Sequence, residues 1–409
     1  MATEQGIGLS FSRRTALKNV VRLIPAVMII AVTLNALSCG GSGLLSSAGS
    51  GSGSPTATPT TGTGTFAFVT NFGVGEVSAF TRDTTTGVLT SNGKPVSAGA
   101  PRGPRGVVAS PDGSYLYVAN INDDNIYEYS INSDGTLTKL ASGSNGTGTQ
   151  PDELAINSDG SLLWVTGKAG TIKSYQVNTS GDLSGQIIFP ATSTTSGGGL
   201  QTPFGIAVHP TLNVLYVSDS ATGNVYAFNY DTTTTPPTGV LSQNSAPQHS
   251  LDTTANAAFG IAIDSGGDAL FIADQGNGDV SSFSIAPTGA AVPGALTPYA
   301  YFPNSSATDG PVGIGIGGGY LFTANSSGDS ISSFIVTDLT LTTPPALVTG
   351  YSGATGLVVD PLNMFVYTTN FSNNTVGQAI IEGSTCTIQL CAGKSISTAS
   401  GPFGITLAQ

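Results

Sequence analysis

The chain is built from repeats that lie about 50 residues apart, and this repetition restricts the fold more than any other feature. A short apolar run ending in a small or polar residue recurs seven times, with successive copies 49, 47, 52, 55, 51 and 45 residues apart. The copies are F-V-T-N at 68–71, Y-V-A-N at 117–120, W-V-T-G at 164–167, Y-V-S-D at 216–219, F-I-A-D at 271–274, F-T-A-N at 322–325 and Y-T-T-N at 367–370. Such a period is typical of a β-propeller or a solenoid.

A second repeated strand, with a P-x-G-I-like pattern, comes before each apolar run except the first. Its seven copies lie at residues 104–108, 151–155, 203–207, 258–262, 311–315, 354–358 and 402–406, and the last has no apolar run after it. Seven pairs therefore form only if the C-terminal strand completes the first blade, which removes the edges that an open array would expose. We predict an all-β, seven-bladed β-propeller with four antiparallel strands per blade and velcro closure of the first blade by the C-terminal strand.

The N-terminal part of the chain has the features of an export signal followed by a tether. Residues 12–18 (S-R-R-T-A-L-K) resemble a twin-arginine signal, and the apolar run 23–38 is short for a membrane span but suits a signal peptide. Cys39 follows and resembles a lipidation site, with ordinary cleavage nearby or an uncleaved anchor as alternatives. We predict an export signal at 1–38, a Gly/Ser/Thr/Pro-rich tether at 39–64 and the propeller at 65–409.

Two further cysteines, Cys386 and Cys391, are separated by four residues. In an oxidising compartment outside the cytoplasm this spacing suits a local disulfide, and the alternative is two inert thiols. No histidine lies nearby, which argues against a metal site at this position. We predict neither a metal ion nor a cofactor.

The charge balance argues against nucleic acid as a partner. The net charge is −12. Beyond residue 38 only eight basic residues face 23 acidic ones. Such a surface repels nucleic acid and anionic lipid headgroups. We therefore expect contact with a membrane only through the N-terminal anchor.

The repeats resemble the YVTN-repeat and lactonase-type seven-bladed propellers, a family that includes phosphogluconolactonase-like and muconate-cycloisomerase-like enzymes. The resemblance is best at residues 103–120, with G-P-R-G followed by S-P-D-G-S-Y-L-Y-V-A-N, and it extends over 65–409. It implies the propeller fold. Activity has to be argued from the site, because propellers have many functions.

Enzymes of that family tend to carry a P-R-H motif on an inner strand and an N-E pair at the end of the second strand, and the resemblance gives this His and Glu acid/base and binding roles. In this chain the His position holds Gly106, Glu153, Gly205, Gly260, Gly313, Gly356 and Gly404. The Glu position holds Phe72, Ile121, Lys168, Ser220, Gln275, Ser326 and Phe371. Both family residues are absent at these positions. The two histidines do not replace them, since we expect His209 to be structural in a turn and His249 to be solvated in a connection.

The third blade carries the only ionisable residues at these two positions, Glu153 and Lys168. Both positions are expected at the channel mouth, where propellers usually bind ligands. Arg105 and Asp152 share a neighbouring position on adjacent blades, and Arg102 lies just upstream. We predict that these five charges converge on one sector. They form a local salt-bridge cluster, bind a polar ligand or act as an acid/base pair, with Glu153 and Lys168 as the catalytic candidates.

These observations predict a monomeric propeller exported to the periplasm or the cell surface and lipid-anchored through Cys39. Its expected role is a binding scaffold for a protein, a glycan or a small molecule. The alternative is a phosphogluconolactonase-like hydrolase or isomerase with a non-standard site on the third blade, and a purely structural role at the cell surface is a third possibility. The enzyme needs titratable groups that converge at the channel mouth, whereas a scaffold needs only an exposed patch.

Overall fold

The structure of the propeller was obtained as a computed structural model. It describes residues 65–168, 170–189, 199–249, 257–304, 309–343, 345–360, 362, 365–382 and 387–408. The predicted export signal, Cys39 and the tether lie outside these ranges. Of the predicted Cys386–Cys391 disulfide, Cys386 lies outside them and only the strand that contains Cys391 is described. No helix in the described ranges is long and apolar enough to cross a membrane.

The described residues form 31 β strands, which group into seven sheets. Blade 1 contains β1 (Thr65–Asn71), β2 (Glu76–Arg82), β3 (Leu89–Ser91), β4 (Val96–Ser97) and the C-terminal strand β31 (Pro402–Ala408). Blade 2 contains β5 (Pro104–Ala109), β6 (Tyr115–Asn120), β7 (Asn125–Ile131) and β8 (Leu137–Gly146). Blade 3 contains β9 (Pro151–Ile156), β10 (Leu162–Gly167), β11 (Thr171–Val177) and β12 (Leu183–Phe189).

The remaining four blades repeat this arrangement. Blade 4 contains β13 (Pro203–Val208), β14 (Val214–Asp219), β15 (Asn224–Tyr230), β16 (Leu241–Gln243) and β17 (Gln248–His249). Blade 5 contains β18 (Ala258–Ile263), β19 (Ala269–Asp274), β20 (Asp279–Ile285) and β21 (Leu296–Pro303). Blade 6 contains β22 (Pro311–Gly317), β23 (Tyr320–Asn325), β24 (Ser330–Thr337), β25 (Thr340–Leu341) and β26 (Ala346–Thr349). Blade 7 contains β27 (Ala354–Val359), β28 (Phe365–Asn370), β29 (Thr375–Glu382) and β30 (Thr387–Ser397).

The seven blades close into a ring, as the sequence predicts. Each blade has four antiparallel strand positions, and the outermost position is split into two short strands in blades 1, 4 and 6. The inner strands are β31, β5, β9, β13, β18, β22 and β27, and each contacts the inner strands of both neighbouring blades. Strand β31 pairs with β1, with Phe66 opposite Ala408 and Phe68 opposite Thr406. The predicted velcro closure of the first blade is therefore confirmed.

The apolar core of the described residues lies between the blades rather than inside them. Seven clusters of buried side chains each join two adjacent blades. The second strand of a blade therefore packs on both faces, and every residue of β10, β14, β19 and β28 is buried. This explains why the F-V-T-N runs are continuously apolar instead of alternating. Trp164 illustrates the packing, because it is fully buried and its ring lies 4.7 Å from that of Tyr230 on the next blade.

Six glycines allow the inner strands to approach one another closely around the channel. A Cβ atom on Gly313 would lie 2.1 Å from the carbonyl oxygen of Thr355 on the next blade. At Gly106, Gly205, Gly260, Gly356 and Gly404 the corresponding distance to the next inner strand is 2.3–2.6 Å. The glycines are needed for space, since a side chain would displace the neighbouring strand. Glu153 occupies the seventh position of this ring, and it is the one place where a side chain is present.

Hydroxyl groups on second strands fix the inner strands of adjacent blades to each other. Thr166 Oγ1 accepts a hydrogen bond from the Glu153 N–H at 3.1 Å and donates one to the carbonyl oxygen of Phe204 at 2.9 Å. The same pair of bonds is formed by Thr70, Ser218 and Thr369. The backbone of Glu153 is therefore held rigidly even though its side chain interrupts the glycine ring.

Replacing Gly313 with alanine is expected to lower the free energy of unfolding by ~1–3 kcal/mol, because the added methyl group overpacks the ring. Gly146→Ala is the matched control, since its Cβ would meet nothing closer than 3.8 Å. We expect that variant to stay within ~0.5 kcal/mol of the wild type. Urea unfolding of both variants measures the difference, and equal stability would show that the inner strands are farther apart than described.

Candidate functional site

The inner strands enclose a channel cavity of about 150 Å³. Every blade contributes to its wall, mostly through glycine and aliphatic residues. Glu153 is the only ionisable residue among those that line it. A single carboxyl group is thus placed in an otherwise apolar wall, which is an arrangement that shifts pKa values strongly.

The Glu153 side chain borders the channel lumen and is only partly buried by surface area, but protein surrounds its carboxyl group on most sides. Burial raises the pKa of Glu153 to about 8, the negative charge of Asp152 raises it further, and Arg105 opposes the shift. In the described ranges no hydrogen bond is formed to this carboxyl group. Glu153 therefore changes its charge close to neutral pH, which is the property of a general acid or base.

An ion pair lies above Glu153, at the channel mouth. Arg105 Nη1 donates to both carboxylate oxygens of Asp152, at 2.8 and 2.7 Å. Asp152 is buried, whereas the Arg105 side chain keeps 20% of its surface exposed. The guanidinium carbon also lies 4.5 Å from the ring centre of Phe403, within cation–π range. Burial raises the pKa of Asp152, while Arg105 and Lys168 act in the opposite direction. The pair fixes one cation at the mouth, with part of its surface available to a ligand.

A mouth cavity of about 380 Å³ lies in front of this pair and contains the side chains of Arg105, Asp152 and Lys168. Lys168 is exposed, and its positive charge acts on Asp152. Four residues border both the mouth cavity and the channel cavity: Phe204, Val312, Thr355 and Phe403. A small molecule at the mouth would therefore lie directly above the channel in which Glu153 is placed.

The structure brings together four of the five predicted charges. Arg105, Asp152, Glu153 and Lys168 share the mouth and the upper channel of blades 2 and 3. Arg102 lies apart, since its Nη1 donates to the carbonyl oxygen of Gly73 at 3.2 Å and it lines neither cavity. The hydrogen bond of Arg102 ties the loop after β4 to the loop between β1 and β2.

His209 has the structural role that the sequence predicts. It is buried, its Nδ1 accepts hydrogen bonds from Thr211 N–H at 3.1 Å and Leu212 N–H at 2.9 Å, and its Nε2 lies 2.9 Å from the Gly267 carbonyl oxygen. Burial lowers the pKa of His209. For His249 the structure describes only the strand that contains it. In the described ranges no group of three or more His, Cys, Asp or Glu residues could hold a metal ion.

The aromatic side of the mouth is not among the features predicted from the sequence. A third cavity, of about 310 Å³, adjoins Arg105 and is lined by Phe72, Phe371 and Phe403. The first two phenylalanines stand at the position that holds Glu in the family pattern, so the sequence does place them at the mouth. Their aromatic character at this position is the sequence signal for an apolar surface at the mouth.

Comparison with known proteins finds a family match in the part of the chain that contains these site residues. Residues 102–187 match the family model of seven-bladed β-propeller lactonases, and this segment contains Arg105, Asp152, Glu153 and Lys168. No curated protein matches the chain.

Among solved structures, a putative 6-phosphogluconolactonase from Bacteroides fragilis aligns with a TM-score of 0.71 at 16% identity, covering 87% of this chain and 100% of that one. The periplasmic gluconolactonase of Pseudomonas aeruginosa aligns with a TM-score of 0.63 at 13% identity, covering 84% and 99%. At these identities the structural likeness establishes the seven-bladed fold. The site itself combines that fold with one carboxyl group in the channel and a fixed cation at the mouth.

Proposed function

We propose that this protein is a lactone hydrolase of the seven-bladed propeller type, with Glu153 as its general base. The observation that carries the proposal is the isolated carboxyl group in the channel wall, whose pKa of about 8 suits proton transfer near neutral pH. The lactonase family model, which matches the segment containing this residue, supports the same reaction class. Two similar structures that are named as lactonases of sugar acids agree with it.

In the proposed reaction, the ionised Glu153 takes a proton from a water molecule as the water attacks the lactone carbonyl carbon. The new C–O bond gives a tetrahedral oxyanion, and Arg105 at the mouth stabilises its charge. The oxyanion collapses, the ring C–O bond breaks, and the proton held by Glu153 passes to the departing ring oxygen. The product is a hydroxy acid, and Glu153 returns to its ionised form.

Two basic side chains have separate tasks in this scheme. Asp152 fixes the guanidinium group of Arg105. Arg105 is therefore a positioned hydrogen-bond donor of the kind that stabilises developing negative charge. Lys168 is exposed at the rim, where a flexible ammonium group attracts anionic substrates and products. The site lacks the His and Glu of the family pattern, so the chemistry is carried by a carboxyl group on the third blade.

A panel of lactones tests the proposal with the purified full chain. Turnover of gluconolactone, phosphogluconolactone or γ-butyrolactone above the buffer blank is the expected result. Lys168→Ala should raise KM for the phosphorylated lactone about fivefold, because one exposed charge contact is lost at roughly 1 kcal/mol. Lys139→Ala is the matched control, since this lysine is exposed on β8 and borders none of the three cavities. An absence of turnover with these lactones and with alkyl-substituted γ-lactones would reject the hydrolase.

The second candidate is a binding scaffold for a protein, a glycan or a small molecule. The exposed aromatic ring of Phe371, with 39% of its surface accessible at the rim, favours it, since such rings commonly serve as contact surfaces. The same panel separates the two candidates. Saturable binding of a lactone or its hydroxy acid without turnover would identify a scaffold.

We further propose that the protein works outside the cytoplasm and is anchored through Cys39. The support is the export-signal pattern of residues 1–38 together with the likeness to a gluconolactonase described as periplasmic. Fractionation of expressing cells tests this proposal. Recovery of the protein in the cytoplasm at full length would contradict it.

A further inference from the structure

The channel mouth is divided into two halves, of which only one contains Asp152, Lys168 and Gln275. The mouth cavity carries these charged and amide side chains beside the rings of Phe204 and Phe259. The adjoining cavity, which we call the aromatic pocket, is lined by Phe72, Phe371 and Phe403 and lies over blades 7 and 1. Arg105 borders both halves. A ligand bound at Arg105 can therefore extend into the aromatic pocket.

The aromatic pocket is formed by residues whose backbone is fixed. Phe72 N–H donates to the Gly401 carbonyl oxygen at 2.7 Å, and Phe371 N–H donates to that of Gly353 at 3.0 Å. The Phe72 and Phe371 rings are 6.3 Å apart between centres and tilted by 52°. Phe403 is held beneath the Arg105 guanidinium. Apolar surface that is pre-organised beside a polar group is characteristic of a small-molecule pocket.

Two of the three hydroxyl groups around the aromatic pocket, those of Ser326 and Thr355, are already engaged within the protein. Ser326 Oγ lies 3.1 Å from the Gly310 carbonyl oxygen, to which it donates. Thr355 Oγ1 bonds to Thr369 Oγ1 at 3.0 Å and to the Phe403 carbonyl oxygen at 3.3 Å. A polyhydroxylated sugar placed here would exchange water for phenylalanine, at the cost of unsatisfied hydroxyl groups. An apolar group would gain free energy from the same transfer.

We propose that the substrate is a lactone ring bearing an apolar substituent, with the ring at Arg105 and the substituent in the aromatic pocket. This inference rests on the proposed hydrolase function and names its substrate class. It departs from a sugar lactone, whose substituents are hydroxyl groups. The chemistry requires no further residue, because the ring and the reacting carbonyl stay above Glu153.

The test compares γ-lactones with no side chain, a propyl side chain and a hexyl side chain (γ-butyrolactone, γ-heptalactone and γ-decalactone), with gluconolactone beside them. We expect kcat/KM to rise about threefold to fourfold per methylene until the pocket is full, as burial of a methylene predicts. Phe371→Ala should flatten this dependence, and Phe371→Leu, which keeps an apolar side chain, should retain part of it. Tyr299→Ala is the control, because Tyr299 is 51% exposed on β21 and borders neither half of the mouth.

Binding of straight-chain carboxylates supplies a measurement that is independent of turnover. Calorimetry with butanoate, hexanoate and octanoate should show affinity that rises with length in the wild type and rises less in Phe371→Ala. Turnover with a flat dependence on side-chain length, or a preference for gluconolactone, would overturn the inference and leave the hydrolase standing. A length-dependent affinity for carboxylates without turnover of any lactone would support the pocket and reject the reaction.

Discussion

Replacing Glu153 with glutamine is expected to lower kcat/KM for lactone hydrolysis by about 10²–10⁴-fold, the usual contribution of a general base. In the wild type, log kcat/KM should rise with pH up to about 8 and then level, because only the ionised form of Glu153 accepts a proton. The rise should be absent from the residual activity of Glu153→Gln. Stopped-flow or pH-stat rates corrected for the buffer blank measure both effects.

Glu153→Gln should raise stability although it lowers activity. The folded-state pKa of Glu153 is raised from 4.5 to about 8, so between these values the folded protein binds more protons than the unfolded chain. Stability therefore falls as pH rises through this window, and the penalty is complete above pH 8. Glutamine removes it, so we expect Glu153→Gln to be more stable than the wild type by at least ~2 kcal/mol at pH 9 and unchanged at pH 4.

A functional carboxyl group whose pKa is raised by burial destabilises the folded protein when it is ionised. Its replacement should therefore lower activity and raise stability together. If Glu153 formed a stabilising salt bridge, the same substitution would lower the stability of the protein instead. Glu76→Gln is the control, because this carboxylate on β2 borders neither the channel nor the mouth. If Glu153→Gln matches the wild type in rate at every pH, the general base lies elsewhere.

The sequence was sufficient to predict the ring and to place residues at the mouth, because both follow from repetition. Aligning the repeats places both Glu153 and Lys168 at the channel mouth. The structure puts Lys168 at the mouth and Glu153 in the wall of the channel that opens there. Repetition also predicts the closing pair β1–β31, since an unpaired half-blade at each end leaves no other partner. Residues at equivalent positions of the repeats occupy equivalent places in their blades, whatever their side chains are.

Contacts between residues at different repeat positions could not be predicted in this way. The sequence shows that glycine replaces the family histidine at six positions. The reason, which is the close approach of the inner strands, is seen only in the structure. Arg102 appeared close to the cluster in sequence, but its guanidinium points to Gly73 on the neighbouring blade. The pKa of Glu153 depends on the enclosure of the channel by all seven blades, which no local pattern encodes.

The seam between blades 7 and 1 contains a second ion pair, and breaking it is expected to have the largest effect on stability. Arg82 Nη1 lies 3.2 Å from Asp360 Oδ2, and both side chains are almost completely buried, with 1% and 0% of their surface exposed. Arg82→Met should lower the free energy of unfolding by about 3–5 kcal/mol, because it leaves the charge of Asp360 buried without the opposite charge of the arginine. Urea unfolding of the full chain measures this difference.

The double variant Arg82→Met/Asp360→Asn separates the buried charge from the loss of packing. Asp360 Oδ1 accepts a hydrogen bond from Phe365 N–H at 2.7 Å, and an asparagine oxygen can keep this bond. The rest of the seam also stays intact, since Tyr367 donates to the Gly87 carbonyl oxygen at 2.7 Å. We therefore expect the double variant to recover most of the stability, because a neutral asparagine beside methionine needs less solvation than a buried carboxylate that has lost the arginine. A double variant as unstable as Arg82→Met would mean that the arginine stabilises the seam through its packing, and the ring would then be closed at this point by side-chain volume rather than by charge.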